Sequence, residues 1–414
     1  MIKRFLTIIA LCAASLCYAQ DLDCFAIVAG REATVDGSVL FAHNEDGGGE
    51  MMLNIYVVPA TNKTVRYIWC EFPGKAAADS YMNQYGVSVA SNGCPCREDK
   101  GELKGKGVSY EIRQSVAKYA RTAREGVEII GSMVETFGYN NGGRCYTIAD
   151  PVEAWVVAVV QGKHWVAQRV PDDKVMVLPN CYTIGAVDLS DEANFAGSDD
   201  IVTYARSRGW YDPAKDGEFS FAKAYGTSES LNLKGNLIRQ KEAWRFFFGQ
   251  DRPGEFASVP LNKVSVHDMM EALAIHEPAD KAGKLANGIC NEGTVLSSVF
   301  HLRNDRMFND GCVMWLAMGH PCSEVFVPWY AGVTEAPEGM ARYDYSYKAE
   351  RKHFSDAKDL RKRYPDYFYW NHADNWSPYK DNSRKQRGVF AARKKFEESP
   401  ERDYNAFIRS MYKK

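Results

Sequence analysis

The chain has 414 residues, 45% of them hydrophobic and 25% charged, with 51 Lys and Arg against 53 Asp and Glu. That balance belongs to a globular chain and excludes collagen-like, disordered and multi-span membrane sequences. A net charge of −2 excludes a whole-chain basic footprint for nucleic acid, whereas eleven cysteines are more than a cytosolic enzyme usually carries.

Residues 1–19 read MIKRFLTIIALCAASLCYA. Lys3 and Arg4 make a basic start, residues 5–16 an apolar run, and Cys17 and Ala19 the −3 and −1 positions of a cleavage site. The run is shorter than the roughly 20 apolar residues a spanning helix needs. It reads as a cleaved secretory signal, and no other stretch reads as a stable membrane anchor. The mature protein is expected to be secreted or periplasmic, where disulfides persist. Cleavage after Ala19 leaves residues 20–23 as a short propeptide ahead of Cys24.

Residues 24–30 and 38–42 flank Asp36-Gly37 and predict a β-hairpin. Strands are predicted over 51–59, 64–71 and 86–90. The segment 110–120 carries Ile112, Val116 and Tyr119 at helical spacing. Thr122-Ala-Arg-Glu125 is a capping box opening a helix that turns Val127, Ile130, Met133 and Val134 inward and stops at Gly138. A second hairpin is predicted over 153–160 and 164–170, followed by a strand over 175–178 that runs into Asn180. Helices are predicted over 219–225, 236–248 and 266–276, the last capped by Ser265, and strands over 295–302, 311–318 and 324–327. Strands, two helices and strands again argue α+β layers on antiparallel sheets. From residue 340 the chain holds 19 Lys and Arg against 11 Asp and Glu. This basic, mostly helical extension, 340–414, reads as a solvated face covering the core, with Tyr364, Tyr367, Phe368, Tyr369 and Trp370 packing inward, rather than as a nucleic-acid binder.

No HExxH helix, GxSxG elbow or paired CxxC occurs. Cys94-Pro-Cys96 has the wrong spacing for a zinc half-site, and no metal or organic cofactor is implied. Glu45 and Asp46 are adjacent in a predicted strand, so they point to opposite faces and cannot act as a facing carboxylate pair. Cys24 remains. As a first residue it would carry both nucleophile and base, because an α-amino group of pKa about 7.7–8.0 can take the proton of a thiol of pKa about 8.5 without any histidine. On these grounds alone Cys24 can equally be half of a disulfide in a non-catalytic secreted binding protein.

The stretch CFAIVAGREATVDGSVLFAHNED resembles the opening of the dipeptidase A family of N-terminal-nucleophile (Ntn) cysteine peptidases. RTAREGVEIIGSMVETFGY, YTIADPVEAWVVAVVQGKHWVAQRVPDDKVMVLPN, FAKAYG, SVHDMMEAL, GTVLSSVF and VMWLAMGHPCSEVFVPWYAGV match in the same order, so the likeness runs from about residue 24 to 333. The family is related to the choloylglycine hydrolases. The resemblance implies a four-layer αββα Ntn-hydrolase domain over 24–339, with Cys24 as nucleophile, Asp46 orienting its amine and thiol, and Asn180 near the oxyanion. His43 and Asn92 fall on the substrate-binding side; Asn92 is a second candidate for the amide donor. His43 stands where the family has arginine. If it meets a substrate carboxylate, binding should weaken as pH rises through about 6.5.

The resemblance further implies a secreted dipeptidase that exposes Cys24 by autoprocessing at Asp23–Cys24 and acts on small peptides. An amidase on N-acyl amino acids, of the bile-salt-hydrolase or acylase type, would share fold and nucleophile and stays open. So does the oligomeric state. Setting aside Cys12, Cys17 and Cys24 leaves eight cysteines, an even number that can pair completely.

Overall fold

A computed structural model describes residues 24–47, 53–72, 77–251, 257–258, 264–276, 288–291, 293–338, 340 and 383–412. The expected signal and propeptide, 1–23, and the aromatic run 364–370 lie outside the described residues.

β1 (Phe25–Ala29) and β2 (Val39–Asp46) form the expected hairpin, with Ala26 opposite His43. Gly37 in the connection takes φ 75°, a conformation that suits glycine. The chain then builds a meander: β3 (Asn54–Val58), β4 (Tyr67–Phe72), β5 (Ala77–Asn83), β6 (Ser88–Gly93), β7 (Arg144–Ala149), β8 (Ala154–Val159) and β9 (Trp165–Arg169). β10 (Lys174–Leu178) crosses over to pair with β1, and β11 (Phe195–Gly197) returns beside β9 as the edge of an eight-stranded sheet. β12 (Ala257–Ser258), β13 (Thr294–Leu302), β14 (Cys312–Ala317) and β15 (Val327–Tyr330) complete a seven-stranded sheet in the order β12-β10-β1-β2-β13-β14-β15.

Among the described residues, the helices of eight residues or more are α1 (Glu111–Tyr119), α2 (Ala123–Phe137), α3 (Lys234–Phe248), α4 (Val266–Leu273), α5 (Ser383–Glu397) and α6 (Tyr404–Met411). Period-two burial shows how the layers stack. In β8, Ala154, Val156 and Ala158 join the core shared with the seven-stranded sheet, whereas Trp155, Val157 and Val159 pack under α1 and α2 with Ile112, Val116, Val127 and Ile130. The far face of the seven-stranded sheet is covered by the remaining helices. Asn44 Nδ2 donates to Leu273 O of α4 at 3.0 Å, Arg239 of α3 lies over the Phe25 ring, Phe390 of α5 meets Trp315, and Phe407 of α6 meets Tyr330. The result is the expected α+β, four-layer αββα sandwich. In the C-terminal segment Val389, Phe390, Phe396, Phe407 and Ile408 join the core while Arg384, Lys385 and Arg387 stay exposed.

Some local expectations shift. Tyr119 is 54% exposed, and Arg113 and Ala117 share the buried face of α1 instead. Thr122 Oγ1 accepts from Glu125 N at 3.1 Å, but Glu125 Oε2 returns to Arg121 N rather than to the cap's own nitrogen. The last strand lies at Val327–Tyr330 rather than 324–327, because residues 321–324 turn. Cys94 and Cys96 are free thiols, and burial pushes both of them up in pKa.

A Cβ added to Gly131 of α2 would lie 2.2 Å from the Trp165 ring, whereas one on Gly388 of α5 meets nothing within 4 Å. Gly131→Ala is therefore expected to lower the unfolding free energy by about 1–3 kcal/mol. Gly388→Ala should raise it by about 0.5–1 kcal/mol, both read by urea unfolding.

Candidate active site

Phe25 pairs with Asn44 in the β1–β2 ladder, so the next position sets Cys24 against Glu45. The Cys24 thiol donates to Glu45 Oε2 at 3.0 Å. His43 lies two residues back on the same face of β2, and a donor atom from each of Cys24, His43 and Glu45 lies within 4.8 Å of the others. Among the described residues no other three His, Cys, Asp or Glu side chains gather this closely. Thiolate, imidazole and carboxylate form a donor set that suits a soft divalent ion such as zinc. This face looks toward the eight-stranded sheet: Ser298, opposite His43, meets Ser80 of β5 at 3.1 Å. Cys24 is also the one described non-glycine residue with positive φ, 75°.

The opposite face of β2 presents Asp46. Asn291 Nδ2 donates to one carboxylate oxygen and Thr294 Oγ1 to the other, each at 2.7 Å, and the guanidinium of Arg239 lies 3.7 Å away. Arg239 is fully buried. From α3 it donates to Cys24 O at 2.9 Å, Asn180 Oδ1 at 2.7 Å and Asn236 Oδ1 at 2.8 Å. One cation thus joins the backbone of the cysteine to the expected oxyanion asparagine and the expected orienting aspartate. Asn180 follows β10, where its Nδ2 donates to Gly93 O at 3.0 Å, while Asn92 Nδ2 donates to Leu178 O at 2.7 Å. The ends of β6 and β10 are clasped across the sheets by this exchange of side-chain amides.

Residues 102–355 match the sequence profile of peptidase family C69, more than half of the chain. The chain belongs to peptidase family C69. This is a cysteine peptidase family, as the resemblance to dipeptidase A implies. The chain is similar to a probable dipeptidase from Salmonella dublin, 26% identical over 359 residues that cover 76% of this chain and 82% of the relative. It is similar to a probable dipeptidase B from Streptococcus pyogenes serotype M1, 25% identical with coverage of 78% and 75%, and to dipeptidase A from Lactobacillus helveticus, 24% identical with 77% of each covered. Among solved structures, penicillin V acylase from Agrobacterium tumefaciens aligns at 12% identity and a TM-score of 0.41, covering 77% of this chain and 88% of that one. A mutant conjugated bile acid hydrolase from Clostridium perfringens aligns at 12% identity and 0.35, with coverage of 71% and 89%.

In this C69 chain, Cys24, His43, Asp46 and Asn180 gather at the start of β1, and Asn92 stands behind them as a brace on β10. Arg239, Asn291 and Thr294 were not foreseen, nor was Glu45 as the thiol's partner. The one sequence signal for Arg239 is positional: the buried stripe of α3 is Gly235, Asn236, Arg239 and Ala243, polar where an amphipathic helix would be apolar. A separate cavity of about 690 Å³, lined by residues including Glu135, His164 and Tyr204, contains none of these side chains.

Removing the guanidinium leaves the Asp46 charge buried without its cation. Arg239→Ala is expected to lower the unfolding free energy by about 3–5 kcal/mol. Adding Asp46→Asn should return part of that loss in a double-mutant cycle followed by urea unfolding.

Proposed function

We propose that the protein is an exported cysteine dipeptidase whose nucleophile is the thiol of Cys24, made the first residue of the mature chain by cleavage at Asp23–Cys24. The observation that carries this reading is the position of Cys24: its thiol bonds to Glu45 and its carbonyl to the buried Arg239, beside Asp46. The curated dipeptidase relatives support the substrate class. For export, the support is the signal-like sequence of residues 1–19, and no helix among the described residues is long and apolar enough to cross a membrane.

While Asp23 still acylates the Cys24 nitrogen, no free amine exists to take the thiol's proton. The Glu45 carboxylate, 3.0 Å from Sγ, is the acceptor in that state. The thiolate attacks the Asp23 carbonyl carbon, the peptide C–N bond breaks, and the new amine leaves with a proton. Water then hydrolyses the thioester. The positive φ of Cys24 assists, since a non-glycine residue held there stores about 1–3 kcal/mol of strain. After cleavage the α-amine, oriented by Asp46, becomes the base. The thiolate attacks the dipeptide's carbonyl, the ammonium protonates the leaving amine, and water releases the acyl product. Asn180 carries an amide donor on its side chain. Directed at the oxyanion, such a donor is worth about 2.7–4 kcal/mol of barrier. His43, beside the thiol, takes the substrate-facing role, and Asn92 braces the strand that carries Asn180.

Intact mass and N-terminal sequencing of the exported protein are expected to give a chain that begins at Cys24. An active chain that begins at Gln20 would contradict the mechanism. Cys24→Ala should abolish both cleavage and turnover, and Glu45→Gln should slow cleavage at least tenfold. A panel of dipeptides and acyl-glycines decides the substrate: dipeptide turnover is expected, and turnover of acyl-glycines alone would favour the amidase reading.

A further inference from the structure

The mechanism leaves the thiols of Cys290 and Cys322 unused. Cys290 and Cys322, thirty-two residues apart in sequence, bring their sulfurs to 3.5 Å, with the Cys290 thiol donating. Cys290 is buried and Cys322 half-buried. His276 hydrogen-bonds Cys322, and the imidazole of His320 adds to the positive field on it. The bond from Cys290, with help from His276 and His320 and against the cost of burial, draws the Cys322 thiol down to about 5. Cys290 moves the opposite way, raised by that same bond and by burial. A low-pKa, partly accessible thiol next to a second thiol has the chemistry of an attacking and a resolving cysteine. Three other buried thiols differ. Burial raises Cys94, Cys181 and Cys312, which leaves them protonated and inert at neutral pH.

The backbone ties this pair to the active site. Cys290 N donates to Ile275 O at 2.8 Å, and the next residue, Asn291, donates to Asp46 at 2.7 Å. On the other side, Cys322 sits in a turn where Ser323 N and Glu324 N both donate to His320 O.

We propose that Cys290 and Cys322 form a thiol–disulfide exchange site, distinct from the nucleophile, that accepts low-molecular-weight disulfides and closes into an internal disulfide. The Cys322 thiolate bonds to one sulfur of the disulfide RSSR, and RS⁻ leaves with the electron pair of the broken S–S bond. The Cys290 sulfur then bonds to Cys322, displacing the second RS⁻, and the Cys290 proton passes to a departing thiolate. Two protein thiols are oxidised to one disulfide while RSSR is reduced to two RS groups. Closing from 3.5 Å to the roughly 2.05 Å of an S–S bond needs a movement of only about 1.5 Å. The bond would fasten the residue next to Asn291 to the 320–323 turn, and so stiffen the support of Asp46. The site does not depend on how Cys24 is processed.

The test uses the full chain, reduced, freed of reductant and exposed to glutathione disulfide. It is then denatured, alkylated and digested without reduction for peptide mass mapping. A Cys290–Cys322 cross-linked peptide is expected, with the other cysteines alkylated. Cys290→Ser should stop at a glutathione adduct on Cys322, and Cys322→Ser should carry neither adduct nor cross-link. In the native reduced protein, alkylation of Cys322 should change little between pH 6 and 8, whereas an ordinary thiol gains about tenfold per pH unit. Recovery of both cysteines alkylated after glutathione disulfide would overturn the proposal. So would a Cys290→Ser chain without an adduct at Cys322.

Discussion

A buried guanidinium holds the active end of this molecule together. Taking a cation out of water costs several kcal/mol unless its donors are satisfied. Arg239 meets that condition only because Cys24 O, Asn180, Asn236 and Asp46 converge on it. Those acceptors come from the start of β1, the end of β10, α3 itself and the end of β2. Burying one arginine therefore fixes two strand ends, one helix and the cysteine in a single arrangement. Arginine suits the task better than lysine, because a planar fork with five donors can serve several acceptors in fixed directions.

The alternation of β2 divides the work around the cysteine. Glu45 faces the thiol between the sheets, and Asp46 faces Arg239 and Asn291 on the helix-covered side. The two adjacent acids are not a catalytic pair. They serve opposite sides of one residue: Glu45 bonds the sulfur, and Asp46 stands beside the guanidinium that bonds the carbonyl. The His43 imidazole completes the thiol side within 4.8 Å.

Much of this was legible in the chain because the signals are local. Asp36-Gly37 between apolar runs marked the β1–β2 hairpin, the Thr122 cap and Gly138 bounded α2, and the apolar runs on either side of Gln161-Gly162-Lys163 marked β8 and β9. The opening motif singled out Cys24 and Asp46, and the buried Arg239 reaches both. What stayed hidden depends on distant pairing. β5, AADSYMN, lacks the β-branched run that marks a strand and is held by β4 and β6 on either side. Nothing local says that β10 leaves the meander to pair with β1. Arg239 sits among Lys234, Gln240, Lys241 and Glu242, and only tertiary burial separates it from an ordinary surface cation. Cysteine parity likewise permitted complete pairing but could not show that Cys290 and Cys322 combine close sulfurs with two imidazoles.

The central claim is that Cys24 reacts as the first residue of the chain. The most direct measurement quenches the enzyme in acid during dipeptide turnover and locates the acyl group by peptide mass spectrometry. A hydroxylamine-labile acyl mass on a peptide that begins at Cys24 is the expected result. An acyl group on any other residue, or turnover by a chain whose Cys24 nitrogen is still joined to Asp23, would contradict it.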